Sequence, residues 1–303
     1  MKMFNIAQYL LPLVLAAAPL VAQQGSGDVE QWKAADAALG RSGQMQPGGV
    51  YKYAMPRKDL TVTKDGVTIA PGLALGSWAA FKKMGDEAML MGDLVLTEDE
   101  IEPVMMKLQQ GGIEQTAIHN HLLGEAPHIV YMHIEGHGDP AVLGKSLASA
   151  LALTKTPMPT ATSSAPAAPL GLDQPGVEKA LGYSGKVNGG ILQFSVPRVE
   201  KIMEGGMEIP PAMGTATAIN FQPTGHGKAA ISGDLVLLAT EVNPVIRALR
   251  AHEIDVTAMH NHMLGDEPHL YFMHFWGNAD AITLALGLRA ALHETNSQLP
   301  STK

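Results

Sequence analysis

The sequence predicts an α+β fold built as two homologous repeats, each with an antiparallel or mixed sheet and packed helices, related by a pseudo-twofold. Three observations carry that prediction. The halves of the 303-residue chain match at a near-constant offset of 141 residues, as from Gly92 to Gly233. Such a period is domain-sized and well beyond the roughly 20–50 residues of solenoid repeats. Within each half, strand-like runs precede segments whose apolar residues fall at helical spacing. Between the halves, Thr154 to Pro169 is a Pro/Ser/Thr/Ala tract that cannot build a core and reads as an extended linker. The expected organisation is a signal peptide over 1–22, repeat 1 over 29–153, a linker over 154–172 and repeat 2 over 173–296.

Each repeat shows the same order of elements. A short helix comes first, over Val29–Leu39 and again over Gly176–Leu181. Strands are expected at Val50–Ala54 and Thr61–Ile69, then at Ile191–Val196 and Ala216–Phe221. A further strand ends in Gly-Asp-Leu-Val-Leu, identical at 92–96 and 233–237. Ile101, Val104, Met105 and Leu108 then mark an amphipathic helix, as do Val242, Val245, Ile246 and Leu249. Thr97 and Thr240 sit near the helix starts, and Pro103 and Pro244 lie early enough to be tolerated. Two short strands flank a His-Asn-His turn, and closing helices follow over Pro140–Leu153 and Ala279–His293.

The composition excludes several functions. With no cysteine there is no disulfide scaffold, thiolate zinc site, iron–sulfur ligation or cysteine nucleophile. A net charge of -8 lacks the basic footprint of nucleic-acid or anionic-membrane binding. Lys2, the apolar stretch Tyr9–Ala18 and the small residues ending at Ala22 read as an export signal, too short and Pro-interrupted for a membrane span. The expected product is exported, periplasmic or secreted, with no membrane span after processing.

The histidines carry the chemistry. Of 12, eight fall in two matched tetrads: His119, His121, His128 and His133, then His260, His262, His269 and His274. Residues two apart on a strand face the same way, so His119 and His121 should point together, as should His260 and His262. A hairpin through the Gly- and Pro-punctuated turn would set His128 opposite His121 and His269 opposite His262, with His133 on the other face. Three converging imidazoles with an open position make a catalytic or transport metal site, and imidazole suits zinc, copper, iron or nickel. Glu125 and Asp266, at matched positions beside the turn, are candidates for a ligand or general base. The competing reading is a structural hydrogen-bond network of buried imidazoles.

Other features rank lower. The His-Asn-His triplet lacks the dispersed pattern and basic surface of the similarly named nucleases. His119, His121 and Glu125 echo a cupin motif, but the long helices do not fit a small β-barrel. Arg57 and Arg198 recur in Pro-Arg-x-acid and are expected to make structural ion pairs with Asp59 and Glu200. Asp93 and Asp234, flanked by apolar strand residues, are candidates to orient an imidazole. The 17 methionines read as core filler, and Trp78 and Trp276 as packing.

The doubled block from Thr116 to His133, repeated from Thr257 to His274, resembles the DUF1259 family, the LppY/LpqO-like group of exported bacterial proteins. The resemblance spans about Glu30 to Glu294 and implies an exported protein with two such domains. Mycobacterial members are lipoproteins, and this chain departs from them in having no lipid-bearing cysteine. The leading expectation is a zinc or copper protein acting on an envelope small molecule or glycan, with a hydrolase using metal-activated water as its enzymatic form. The alternative is a non-catalytic glycan- or peptide-binding or structural protein.

Overall fold

The structure, a computed structural model, describes residues 29–159 and 169–299. The expected signal peptide and the middle of the expected linker lie outside the described residues. Repeat 1 runs α1 (Lys33–Leu39), β1 (Gln44–Gln46), β2 (Val50–Pro56), β3 (Thr63–Lys64), β4 (Val67–Thr68), α2 (Pro71–Ala74) and β5 (Gly76–Met84). It continues with β6 (Glu87–Thr97), α3 (Glu98–Gln110), β7 (Glu114–His119), β8 (Ile129–Gly138) and α4 (Pro140–Leu151). Repeat 2 follows the same order with α5 (Gln174–Leu181), β9 (Lys186–Asn188), β10 (Ile191–Pro197), β11 (Met203–Glu204) and β12 (Met207–Glu208). A 3-10 turn (Pro211–Met213) stands where repeat 1 has α2. Then come β13 (Ala216–Gly225), β14 (Lys228–Leu238), α6 (Val242–Ala251), β15 (Asp255–His260), β16 (Leu270–Asp280) and α7 (Ala281–His293).

The long strands form two six-stranded sheets, ordered β1-β2-β5-β6-β8-β7 and β9-β10-β13-β14-β16-β15. Their pairings are antiparallel throughout. The predicted α+β duplication is therefore the observed architecture. One element differs. Thr61–Ile69 is not a single strand but the two-residue strands β3 and β4, turned back at Asp65 and Gly66. Both turn residues have positive φ, 48° and 76°, the backbone of a tight hairpin turn. The strand that follows β2 in the sheet is β5, which the sequence pattern does not mark.

Alternation along the strands sorts the two faces of each sheet. In β6, Leu90, Leu94 and Leu96 join α1, α3 and α4 in one core, with Trp32 and Tyr53. The counterparts Leu235 and Leu237 pack with α5, α6 and α7. The opposite faces meet each other: Val50, Ala80, Met89 and Met91 pack against Val236, Leu270 and Phe272. Val95, Ile129 and Tyr131 likewise pack in one cluster with Ala230 and Trp276. The molecule is thus layered helix–sheet–sheet–helix, and residues at odd positions of β6 and β8 point into the seam between repeats.

Each Pro-Arg-x-acid motif ties one repeat together. Arg57 is fully buried and donates to Asp59, to Glu100 and to the Val95 carbonyl at 2.7–3.2 Å. Arg198 does the same with Glu200, Glu241 and the Val236 carbonyl. Glu100 also accepts from the Thr97 amide, and Glu241 from the Leu238 amide, so each arginine is linked to the start of a helix. These arginines are structural, as their pairing in sequence predicts.

Candidate metal centre

Alternation in β6 and β8 places Asp93, Tyr131 and His133 on the seam face, and β14 and β16 do the same for Asp234, Phe272 and His274. Asp93 is paired directly with His133, and Asp234 with His274. β7 contributes His119 and β15 contributes His260 at their last residues, while His121 and His262 follow in the turns. All six imidazoles converge in one cluster shared by the two repeats. His119 stacks on His260 with ring centroids 3.6 Å apart, His121 lies 3.7 Å from His274, and His133 lies 3.9 Å from His262. The arrangement is one cluster built across the pseudo-twofold, in place of the separate site per repeat that the duplication suggests.

The fourth member of each tetrad stands apart. His128 is about half exposed and its Nδ1 lies 3.0 Å from Glu125, which also accepts from the Ile129 amide. His269 pairs with Asp266 at 2.8 Å, and Asp266 accepts from the Leu270 amide. Glu125 and Asp266 thus fasten the start of β8 and of β16. The expected hairpin pairing of His128 with His121 is replaced by His119 opposite Tyr131 and Ala117 opposite His133. The turn from Asn120 to His128 is too long for a tight hairpin, and the pairing is regular from His119–Tyr131 to Ala117–His133, with the register shift between Gln115 and Ala117 falling beyond it. His133 consequently shares a face with His119.

Thr116, Asn120 and their counterparts hold the loops across the seam. The Thr116 hydroxyl donates to the His262 carbonyl at 2.5 Å, and Thr257 to the His121 carbonyl at 2.6 Å. Asn120 donates both to the Leu122 carbonyl in its own turn and to the Thr257 carbonyl of the other repeat. Asn261 mirrors it with Met263 and Thr116. The asparagine between the histidines is therefore a clasp.

Carbonyls fix the tautomers. A carbonyl only accepts, so His133, His274 and His262 must donate from Nδ1 to Gly92, Gly233 and Gly214, at 3.2, 2.7 and 3.1 Å. A Cβ at Gly233 would stand 2.0 Å from the Ala218 carbonyl, and at Gly92 2.7 Å from that of Trp78, so neither position admits a side chain without a shift. The Nε2 lone pairs of the three rings then point into the cluster. His133 Nε2 lies 3.2 Å from His260 Nε2, and His274 Nε2 is buried without a partner. His262 Nε2 lies 3.0 Å from Asp234 Oδ2 yet off the line of a hydrogen bond, leaving two acceptors face to face. One oxygen of Asp93 and one of Asp234 are also buried and unpartnered, as are Nδ1 of His119 and His260.

Burial first, and then the neighbouring imidazoles, push His119, His121 and His260 far below the ordinary histidine range. His133 and His262 fall to about 3, with burial the main cause and Asp93 opposing it. Burial, with nearby Asp93, raises Asp234 to about 6. The cluster is thus rich in lone pairs and poor in protons. A cation satisfies such a set, and the donors fit one: one ring nitrogen from each of His133, His260 and His262 lies within 4.8 Å of the others, as for His119, His260 and His274, and for the rings of His119 and His133 with a carboxylate oxygen of Asp93.

Sequence reasoning missed Tyr131, Phe272, Lys52 and Gly214. Tyr131 and Phe272 stack on His121 and His262 at 3.4 Å. The Lys52 ammonium lies 3.9 Å over the Trp78 ring and donates to the Ala212 carbonyl, and burial lowers it to about 8. Thr116 and Thr257 had a visible signal, since each opens the repeated Thr-Ala-x-His-Asn-His block.

A family model described as a domain of unknown function, DUF1259, matches residues 33–153 and again 175–294. No curated protein matches the chain. Two solved structures are similar in part: a trimeric bacterial microcompartment shell protein, PduB, and EtuB from Clostridium kluyveri. The first is 13% identical over 83% of this chain and 90% of that one, with a TM-score of 0.20. The second is 9% identical over 82% and 90%, with a TM-score of 0.19. At those scores neither carries an argument about fold or function.

Proposed function

The chain belongs to the DUF1259 family through both of its repeats, and from that premise we propose that it is an exported protein, periplasmic or secreted, that binds a transition metal, zinc or copper, between them. One observation carries the metal: His133, His262 and His274, locked by main-chain carbonyls, keep unprotonated Nε2 atoms in a buried cluster where one oxygen each of Asp93 and Asp234 also has no hydrogen-bond donor among the described residues. Export rests on Lys2 and the apolar run Tyr9–Ala18, and a site of imidazole and carboxylate suits an oxidising compartment better than thiolates.

Bound in this cluster, such an ion would supply Lewis acidity or an activated water, the chemistry of a metal-dependent hydrolase acting on an envelope glycan or small molecule. In that role we take Asp234, inside the cluster and raised by burial to about 6, as the general base ahead of Glu125 and Asp266, which lie against His128 and His269. The reciprocal bonds of Thr116, Thr257, Asn120 and Asn261 favour a second reading, in which the block chiefly clasps the repeats of a non-catalytic binding protein.

Elemental analysis of protein purified without a histidine tag tests the metal. At least one zinc or copper per chain is expected, with a melting temperature that rises on adding the ion. A content far below one per chain, with unchanged melting in Zn2+ and in Cu2+, would leave the clasp alone.

A further inference from the structure

The two halves of the cluster differ in one layer behind the rings. Tyr131 and Phe272 occupy matched positions, and each stacks on the second histidine of its repeat with centroids 3.4 Å apart and planes 10° apart. The Tyr131 hydroxyl donates to the Ala74 carbonyl at 2.9 Å. Ala74 matches Gly214, since Pro71 and Pro211 open the corresponding short helical turns. In repeat 2 the ring at the tyrosine's place carries no hydroxyl, and the Gly214 carbonyl accepts from His262 Nδ1 instead. One carbonyl position therefore holds a phenol in repeat 1 and an imidazole in repeat 2. His262 is fixed with its Nε2 unpartnered among the described residues, whereas His121 makes its hydrogen bond through Nε2, to His119 at 3.1 Å, and among the described residues no main-chain carbonyl holds its Nδ1.

We propose that this difference makes the cluster an unequal pair of metal positions, with His133, His260 and His262 the position filled first and the half around His121 the weaker one. The inference rests on the metal-binding reading above. Its basis is preorganisation: the ligand whose other ring nitrogen is already held by a carbonyl needs no reorientation to bind, and loss of such a partner typically lowers metal affinity about 10–100-fold. The donor atoms of His133, His260 and His262 already lie within 4.8 Å of one another, and none of the three convergent donor groups includes His121. Tyr131 and Phe272 are thus positioning residues that act through the histidine each one covers.

Titration of the metal-free full chain with Zn2+, followed by calorimetry, and with Cu2+, followed by electron paramagnetic resonance, tests the order of filling. His262→Ala is expected to abolish the tightest step and His121→Ala to leave it within about threefold. Phe272→Tyr, which introduces a hydroxyl competing for the Gly214 carbonyl, should weaken that step about tenfold while Tyr131→Phe leaves it unchanged. Melting of the metal-free variants separates these effects from unfolding. The inference is overturned if His121→Ala weakens the first step as much as His262→Ala, or if Tyr131→Phe weakens it and Phe272→Tyr does not. If the wild-type chain takes up neither ion, the metal reading itself falls, a result distinct from either of these.

Discussion

Setting repeat 1 beside repeat 2 separates what the scaffold demands from what the seam tolerates. The devices that hold each sheet to its helices are the same. Arg57 with Asp59 and Glu100 is reproduced atom for atom in role by Arg198 with Glu200 and Glu241. The Asp93–His133 pairing and the Gly92 carbonyl recur as Asp234, His274 and Gly233. The residues directly behind and beside the rings diverge. Tyr131 corresponds to Phe272, Ala74 to Gly214, and Lys52 to Gln193. A buried ion-pair network has few equivalent solutions, because a stranded charge is costly, whereas a ring's support can be exchanged for another of similar shape.

The comparison can be broken first at the arginines. Arg57→Met leaves Asp59 and Glu100 without their cation and should cost about 3–5 kcal/mol, and Arg198→Met the same within about 1 kcal/mol. Urea denaturation of the two variants measures this, and a clearly larger gap would show that the repeats do not share one scaffold.

Lys52 comes next, since Gln193 carries no charge at the matched position. Its proton leaves the folded chain near pH 8 and the unfolded chain near 10.5. Over that interval the unfolded state binds more protons, so stability should climb as pH rises from about 8 to 10.5 and be lowest below it. Lys52→Gln should remove this climb and raise stability at neutral pH by less than about 3 kcal/mol, because the cation–π contact and the bond to Ala212 are lost with the charge. Thermal melts across pH 7–10.5 read both effects, and an unchanged slope in the variant would assign it elsewhere.

The smallest effect sharpens the pseudo-twofold. Thr116→Val and Thr257→Val each remove one hydroxyl from a partner loop's carbonyl and should cost about 1 kcal/mol apiece. Equal shifts in the denaturation midpoint are expected. Unequal ones would show that one crossing carries more of the docking between repeats.

Much of this fold was legible in the chain. A recurrence as long as Gly-Asp-Leu-Val-Leu fixes the duplication, and helical spacing at Ile101, Val104, Met105 and Leu108 corresponds to α3. The histidines were legible as a set but not as an arrangement. Whether His133 or His128 joins His119 depends on the length of the turn between β7 and β8, which has no local signature. The β5 strand escaped because both of its faces mix large and small residues, Trp78, Ala80 and Met84 toward the seam and Ala79 and Phe81 toward the helices, rather than showing a strong alternation. The meeting of both tetrads is a contact between residues about 140 apart, and no window of sequence reports it. Tyr131 and Phe272 look like ordinary strand aromatics until the rings they cover are in place.

Asn120 and Asn261, each bonded within its own turn and to the opposite repeat, make the loop that presents a histidine the same loop that docks the two halves. Closing the seam and assembling the ligands are consequently a single equilibrium. An ion held there would also act as a cross-brace, shifting the equilibrium for parting of the halves by the same factor that the closed seam contributes to its affinity.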